Sequence, residues 1–316
     1  MMTSFVACGL VVGHSTDTEG ATGCTVVRGA DGPFRCAAHV IGRATGTREL
    51  ASLEPGHLVD RADAILLTGG SAYGLDAAAG VMRWFEERGR GFPVGAGVVP
   101  IVPAAVVFDL APLGRFDARP TPAMAYAACE TALAEPPEGS VGAGTGATVG
   151  KVAGAERSMK GGFGIGAADA GPLVVRALTV VNALGDVRDA SGRIVAGARD
   201  ERGGFLDALE WIARGGGDAA GFDELAGRNT TLCVVSTNAA LDRVQLASVA
   251  RAASAALFRR ITPVGTSFDG DVVFATAPVE RGVNAPPAQV EVLAVRALEI
   301  AIERAVRTRA PGDILS

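Results

Sequence analysis

The tetrapeptide Asn229-Thr230-Thr231-Leu232 places a threonine at the start of an apolar, β-branched run. A hydroxyl in this position can attack the carbonyl carbon of the preceding residue, which converts the amide to an ester. Water then releases a chain that begins with threonine. The α-amine of such a threonine has an ordinary pKa of about 7.7–8.0, so it can take the proton of its own hydroxyl near neutral pH. We therefore predict cleavage between Asn229 and Thr230, with Thr230 as the new N-terminal nucleophile.

Two carboxylates flank a glycine in Phe268-Asp269-Gly270-Asp271, just before a short apolar run. Carboxylates at this spacing can orient an ammonium group or a lysine. Their mutual repulsion also raises the pKa of one of them unless a cation lies between them. The same pattern is typical of a capped turn or a solvated loop, so the pair predicts a site only together with other residues.

Two further side chains could serve nucleophilic chemistry. Lys160 precedes the glycine-rich run 161–164, which allows the backbone to approach a substrate closely. Asn182 ends a predicted strand, where its amide could donate to a developing oxyanion. Taken singly, a lysine of this kind is also typical of a flexible loop and the asparagine of a turn.

The elements that must position these residues alternate between apolar β-branched runs and amphipathic helical patterns. We predict strands at residues 64–67, 173–182, 231–237 and 271–275, and helices at residues 75–88, 122–133, 241–259 and 289–307. Thr121 is the predicted N-cap of the second helix and Asn238 that of the third. Residues 199–228 contain the polar, glycine-rich run 214–218, which is predicted to form an exposed segment or linker shortly before the cleavage site.

Composition excludes several classes of function. The 316 residues carry a net charge of −5, and the basic residues are scattered, so no nucleic-acid partner is expected. Five cysteines and three histidines form no cluster with ligand spacing, so we expect neither a metal nor a cofactor. No run of about 18 apolar residues and no signal peptide occur, which predicts no membrane association and a cytoplasmic location.

Further motifs accompany these residues in order along the chain. They are Gly13-His14 and the segments 21–26, 67–76, 91–100 and 141–151. The ordered set resembles the L-aminopeptidase/D-esterase family of self-cleaving N-terminal-nucleophile hydrolases. That family includes β-aminopeptidases and nylon-oligomer (6-aminohexanoate-oligomer) hydrolases, and the resemblance spans most of the chain.

The resemblance implies a role for each candidate residue. It places the nucleophile on Thr230 and leaves Asn229 at the end of the larger fragment. It places the lysine near the nucleophile on Lys160, and the oxyanion-stabilising asparagine on Asn182. Because threonine occurs here together with Asp-Gly-Asp, the chain looks more like the nylon-oligomer hydrolase branch than the β-aminopeptidase branch.

The resemblance also implies a role for the acidic pair and a fold. Asp269 and Asp271 would orient the free amine of Thr230. The implied fold is a single α/β (α+β) domain over residues 1–316, a four-layer α-β-β-α sandwich like that of N-terminal-nucleophile hydrolases. Cleavage would divide it into chains 1–229 and 230–316, assembled as a homo-oligomer, a tetramer of processed heterodimers.

The predicted function is a self-processing amidohydrolase or aminopeptidase that acts on small peptide, amide or ester substrates. One alternative is an N-acyltransferase resembling the ornithine acetyltransferases, which typically have alanine before the threonine, where this chain has Asn229. The other alternative is a non-catalytic relative that binds an amine or peptide. A relative of that kind should have lost one of the predicted catalytic residues, and all five are present.

Overall fold

Two five-stranded sheets lie face to face in the computed structural model, which describes residues 4–216 and 228–308. The strands are, in chain order, β1 (Leu10–Asp17), β2 (Thr22–Gly29), β3 (Phe34–Val40), β4 (Thr47–Arg48), β5 (Ala64–Thr68), β6 (Phe92–Pro93), β7 (Val98–Val99), β8 (Ala104–Val106), β9 (Thr148–Val149), β10 (Met159–Lys160), β11 (Gly162–Ala170), β12 (Leu173–Asn182), β13 (Asp186–Arg188), β14 (Ile194–Ala196), β15 (Thr230–Thr237), β16 (Ile261–Thr262) and β17 (Val272–Pro278). The helices are α1 (Ala78–Glu86), α2 (Pro122–Glu130), α3 (Ala208–Ala213), α4 (Arg243–Ala253), α5 (Ala255–Arg260) and α6 (Pro287–Arg307).

The two sheets share one pattern of strand pairing. The first has the order β1-β2-β5-β8-β4 and the second β11-β12-β15-β17-β3. In each sheet the third and fourth strands are parallel, and all other neighbours are antiparallel. Strand β3 comes from the N-terminal part of the chain, so the second sheet is completed by a distant segment.

Three apolar layers hold the structure together. Alternate side chains of a strand face opposite sides of its sheet, so Leu66 packs under α1 and α2 while Leu67 lies between the sheets. In the second sheet Val234 lies between the sheets, and Val235 packs under α4 and α6. The layers therefore run α-β-β-α, which confirms the predicted sandwich.

Several predicted elements occur where the sequence placed them. Strand β12 has the predicted bounds, and β15 begins one residue earlier than predicted, at Thr230 itself. Helix α2 begins at Pro122 because the Thr121 hydroxyl accepts a hydrogen bond from the Met124 N–H. No described helix is long and apolar enough to cross a membrane.

The third predicted helix needs two corrections. It is two helices, α4 and α5, which meet at Ser254, and its N-cap is Asp242 rather than Asn238. The Asp242 carboxylate accepts from the Gln245 N–H, and the Gln245 side chain accepts from the Asp242 N–H. This reciprocal capping box is stronger than a single cap. Asn238 instead accepts from the Val174 N–H.

The segment 199–228 also contains folded structure before the predicted exposed run. It includes helix α3, whose first residue, Ala208, is buried. The buried Asp186 carboxylate accepts from the Ala208 and Ala198 N–H groups, which fixes these two residues to the start of β13. Arg214 and Gly215 are exposed, as predicted. Gly216 is half-buried, and Gly217 and Asp218, the last two residues of the predicted glycine-rich run, lie outside the described residues.

Candidate active site

Three chain segments meet at one end of the central strands of the second sheet. Asn182, the last residue of β12, is the antiparallel partner of Thr230, the first residue of β15. Asn229 bridges to Asp269 in the turn before β17, and Asp271 is the residue directly before that strand. All five residues are buried, with Thr230 the most accessible at 4%. The structure thus brings together five of the six residues that the sequence singled out.

The cleavage-site carbonyl is held from two sides. The Thr230 hydroxyl donates to the Asn229 carbonyl oxygen at 2.6 Å. The Gly270 N–H donates to the same oxygen at 2.8 Å. The hydroxyl therefore lies directly beside the carbonyl group that self-cleavage requires it to attack.

The carboxylate of Asp271 supports the strand on which the nucleophile lies. One of its oxygens accepts from the Thr231 N–H at 2.6 Å, and the other from the Gly265 N–H at 3.3 Å. Burial raises the pKa of Asp271, and repulsion from the nearby Asp269 raises it further. The carboxyl of Asp271 is therefore fixed against the backbone of Thr231, the residue that follows the nucleophile. There it can gain or release a proton nearer neutral pH than an exposed aspartate.

The carboxylate of Asp269 lies on the other side of Gly270. One of its oxygens accepts from both the N–H and the hydroxyl of Thr266, at 2.8 and 2.7 Å. Burial raises the pKa of Asp269, while these bonds and the charge of Lys151 oppose the rise. Both carboxylates thus need a nearby cation to stay ionised.

Asn182 is held by four hydrogen bonds. Its side-chain oxygen accepts from the Lys151 ammonium at 2.9 Å and from the Thr148 N–H at 3.0 Å. Its side-chain nitrogen donates to the Phe108 carbonyl at 3.1 Å and to the Arg228 carbonyl at 3.2 Å. Because both acceptors are carbonyls, the amide orientation is defined: one N–H is directed toward Phe108 and the other toward Arg228, the residue before the cleavage-site asparagine.

Lys151 is a site residue that the sequence analysis did not select. Its ammonium donates to the carbonyl oxygen of Asn182 at 3.1 Å, to the side-chain oxygen of Asn182 at 2.9 Å and to the Arg228 carbonyl at 3.2 Å. Burial lowers the pKa of Lys151 to about 7, although the charges of Asp269 and Asp271 act in the opposite direction. Lys151 is therefore the amine whose charge, when it is protonated, acts on both carboxylates.

Lys160, the lysine selected from the sequence, lies nearby but makes different contacts. It is the β10 residue paired with Thr148. Its ammonium donates to the carbonyls of Gly144, Ala147 and Gly161, at 2.8, 3.2 and 3.1 Å. These bonds hold it against the glycine-rich loop that precedes β9.

One signal in the sequence could have found Lys151. The chain has 29 basic residues, and only Lys151 and Lys160 among them are lysines. Lysine differs from arginine because its pKa shifts readily on burial. Lys151 also stands in the apolar run Val149-Gly150-Lys151-Val152-Ala153, which is typical of a buried segment.

A small cavity opens beside Lys151. It has a volume of about 40 Å³ and is lined by Ala111, Pro112, Lys151, Ala155 and Arg228. The lining combines three small or apolar residues with the basic side chains of Lys151 and Arg228.

The cysteines are placed for packing rather than for nucleophilic chemistry. All five are buried and unpaired by disulfides, and burial raises the pKa of each thiol. A thiol of this kind holds almost no reactive thiolate near neutral pH. Within residues 4–216 and 228–308, no group of three His, Cys, Asp or Glu side chains is arranged to hold a metal ion.

The sequence matches a peptidase family and proteins that are named as amide-bond hydrolases. Residues 7–310 match the sequence model of "Peptidase family S58". The chain is 41% identical over 292 residues to an uncharacterized aminopeptidase of Mycobacterium leprae, covering 85% of this chain and 76% of that protein. It is 31% identical over 297 residues to the 6-aminohexanoate-oligomer endohydrolase of a Kocuria species, covering 88% and 76%.

Solved structures share the fold. The L-aminopeptidase D-Ala-esterase/amidase of Ochrobactrum anthropi, described as a variant of the Ntn (N-terminal-nucleophile) hydrolase fold, matches with a TM-score of 0.69 at 20% identity. That match covers 94% of this chain and 83% of the other. A β-aminopeptidase from a Burkholderia species matches with a TM-score of 0.68 at 19% identity, covering 96% and 86%. The predicted Ntn-hydrolase-like fold is confirmed.

Proposed function

The chain belongs to peptidase family S58, as a hydrolase of peptide or amide bonds, and on that premise we propose that it cuts its own Asn229–Thr230 bond. The products are chains 1–229 and 230–316. One observation carries this proposal: the Thr230 hydroxyl lies 2.6 Å from the Asn229 carbonyl oxygen. That contact places a nucleophile against the bond that has to break.

After cleavage, the free α-amine of Thr230 is the general base for its own hydroxyl. Its ordinary pKa of about 7.7–8.0 leaves a usable neutral fraction near pH 7. The hydroxyl attacks the substrate carbonyl, the amine of the leaving group departs with a proton, and an acyl-enzyme ester remains. The Thr230 amine then activates water, which hydrolyses the ester.

The surrounding residues orient these groups. Asp271 accepts from the Thr231 N–H and Asp269 lies across Gly270, so both carboxylates lie near the place where the new ammonium forms. Asn182 directs one N–H toward the Arg228 carbonyl, next to the cleavage site, and this N–H stabilises the oxyanion during turnover.

We assign the electrostatic role to Lys151. Its three protons meet three oxygens, two of them on Asn182, and its charge acts on both carboxylates. It therefore couples the oxyanion donor to the acidic pair. Lys160 fixes the loop that precedes β9. Thr148, the first residue of β9, donates its N–H to Asn182, so Lys160 acts on the reaction only through this loop.

The substrates are small peptides, amides or esters. Relatives of this chain are named as an aminopeptidase and as an endohydrolase of 6-aminohexanoate oligomers, both of which act on amide bonds. The small cavity beside Lys151 favours a compact group next to the scissile bond. The assembly of processed chains into a homo-oligomer, a tetramer of heterodimers, and the cytoplasmic location stay predictions.

Intact-protein mass spectrometry with N-terminal sequencing tests the proposal. The purified chain should give two fragments, the smaller beginning Thr-Thr-Leu-Cys, and should hydrolyse small amide substrates. Thr230→Ala should remain one chain without activity, because the nucleophile is lost. Thr237→Val is the matched control, since it removes a threonine hydroxyl at the far end of the same strand at nearly constant volume. A folded parent that stays uncut, or a Thr230→Ala chain that is cut at the same bond, would falsify self-cleavage by Thr230.

A further inference from the structure

The carbonyl that has to be attacked already has one backbone hydrogen-bond donor. The Gly270 N–H donates to the Asn229 oxygen at 2.8 Å. The side-chain amide of Asn182 makes a different bond, because its nitrogen donates to the carbonyl of Arg228, one residue earlier. The residue assigned to the oxyanion during turnover is therefore not bonded to the scissile carbonyl before cleavage.

We propose that the backbone N–H of Gly270 is the oxyanion donor for self-cleavage, an inference that rests on the proposed function. It assigns a catalytic contact to the glycine between the two aspartates rather than to either carboxylate. A donor that is fixed by the fold before the reaction begins stabilises charge without reorganisation.

The step balances as an acyl shift from nitrogen to oxygen. The Thr230 hydroxyl oxygen bonds to the Asn229 carbonyl carbon, and the carbonyl oxygen gains negative charge opposite the Gly270 N–H. The carbon–nitrogen bond then breaks, and the hydroxyl proton is delivered to the departing Thr230 nitrogen. Water hydrolyses the resulting ester, which leaves the Asn229 carboxylate and restores the hydroxyl.

The position also requires the absence of a side chain. A Cβ atom at residue 270 would lie 2.7 Å from the Thr230 hydroxyl oxygen and 2.7 Å from the Ala44 carbonyl oxygen. Contacts that short are not tolerated between real atoms, so any side chain would displace the nucleophile or the loop. Glycine therefore supplies the donor and the space for the hydroxyl at one position.

A segment from the other half of the chain fixes the donor. The Ala44 N–H donates to the Asp269 carbonyl at 2.9 Å, and the Ile41 N–H donates to the Asp271 carbonyl at 2.9 Å. Gly42 lies between them, and a Cβ there would come within 2.1 Å of the Asp269 carbonyl oxygen. Residues 41–44 thus clamp the backbone on both sides of Gly270.

The direct test replaces the Gly270 N–H by oxygen, through incorporation of glycolic acid at position 270 in the full-length chain. The rate of appearance of fragments 1–229 and 230–316 is followed by intact mass. We expect cleavage slower by about 100-fold, the usual effect of losing one oxyanion donor. The same exchange at Gly192 is the control, because that N–H also donates to a backbone carbonyl, in a turn outside the site. The Gly192 ester should cleave at the parental rate.

The outcomes separate this inference from the proposed function. If the parent is cut and the folded Gly270 ester is cut at the same rate, Gly270 has no role as donor, while self-cleavage itself is still supported. An uncut parent removes both. Thermal unfolding of each ester shows that the exchange has not simply unfolded the chain.

A genetic variant gives a second readout. Gly270→Ala should leave the chain uncut or cut at least tenfold more slowly, because the added methyl group meets the nucleophile. Gly97→Ala is the control, since a Cβ at residue 97 meets no atom within 4 Å. Parental cleavage of a folded Gly270→Ala chain would overturn the requirement for glycine.

Discussion

Lys151 and Lys160 are the two lysines of this chain, and the structure gives them different surroundings. Each ammonium donates to three oxygens within 3.2 Å. Lys160 meets only backbone carbonyls in these bonds, whereas Lys151 also meets the side chain of Asn182. Lys151 is 5% exposed, while Lys160 is half-buried.

The difference shows what makes a lysine part of a site. Backbone carbonyls fix the position of an ammonium group, and Lys160 uses them to hold a loop. Lys151 in addition links the amide of Asn182 to the charges of Asp269 and Asp271. A buried cation is costly unless it is compensated, and the two nearby carboxylates offset only part of that cost, because burial still lowers the pKa of Lys151 to about 7. We therefore propose Lys151 as the electrostatic partner of the reaction on the basis of its burial and charge, rather than Lys160, which was selected for its nearness to a glycine-rich run.

Substitution of each lysine by methionine should show the difference between them most clearly, and we expect the largest effect here. Lys151→Met should slow self-cleavage and amide hydrolysis by about 100-fold or more, because the oxyanion donor loses its anchor and the carboxylates lose their cation. Lys160→Met should stay within a few-fold of the parental rates. Fragment yield by intact mass and hydrolysis of a small amide measure both effects.

The stability of the same variants is the control for this split. Lys160→Met leaves three carbonyls without their shared donor, which should lower the free energy of unfolding by about 1–3 kcal/mol. Urea unfolding of both variants, each in a Thr230→Ala chain, provides the values. If a folded Lys160→Met chain stays uncut while Lys151→Met is processed normally, the two roles have to be exchanged.

The next largest effect is expected at the acidic pair. Asp271→Asn and Asp269→Asn should each slow self-cleavage and turnover by at least tenfold. Either variant removes a negative charge that acts on Lys151. In Asp271→Asn, one of the two carboxylate oxygens that accept backbone N–H groups is also replaced by an NH₂ group, which can only donate. Measured rates of both steps in each variant check the expectation.

Asp189→Asn provides a matched control for the acidic pair. Asp189 also accepts backbone N–H groups, those of Ser191 and Arg193, but in the turn between β13 and β14. The Asp189→Asn variant should cleave itself and hydrolyse substrate at the parental rates. Normal processing together with a normal rate in Asp269→Asn would remove that carboxylate from the mechanism.

Most of the site could be predicted because local sequence fixes it. Thr230 lies where an apolar run begins, Asn182 lies where one ends, and antiparallel pairing of β12 with β15 makes the two residues neighbours. The Asp-Gly-Asp turn leads into β17, which is the parallel neighbour of β15. Periodicity identified these strands, so their ends were identified as well.

The contacts between distant segments could not be predicted. Lys151 lies 31 residues before Asn182, and the intervening chain forms β10 and β11, so no spacing rule relates them. The clamp of residues 41–44 on the Gly270 loop comes from the turn after β3, a strand that joins the second sheet from far along the chain. The Asp242 cap was missed for another reason, because Asn238 also had a suitable side chain and only the fold shows which of the two faces the helix.

The smallest expected effect, and the sharpest measurement, concerns the titration of Lys151. With only two lysines, a chain labelled with ¹³C at the lysine ε carbon should give two side-chain signals. Burial lowers the pKa of Lys151 from 10.5 to about 7, so the signal that disappears in Lys151→Met should titrate near pH 7 in the uncut Thr230→Ala chain. Titration of that signal above pH 10 would show that the lysine stays fully charged.

The same lowered pKa predicts the direction in which stability changes with pH. Between pH 7 and about 10 the unfolded chain keeps a proton on Lys151 that the folded chain has released. Stability rises with pH wherever the unfolded state binds more protons. The unfolding free energy of the parent should therefore rise over this range relative to that of Lys151→Met.

For Asp271 the pKa is raised by burial, so the folded chain holds the extra proton and stability should fall as the pH rises from about 4 toward neutral. Urea unfolding at several pH values, compared between the parent and each variant, separates the two opposite slopes, and a flat difference for Lys151→Met would mean that the lysine does not release its proton on folding.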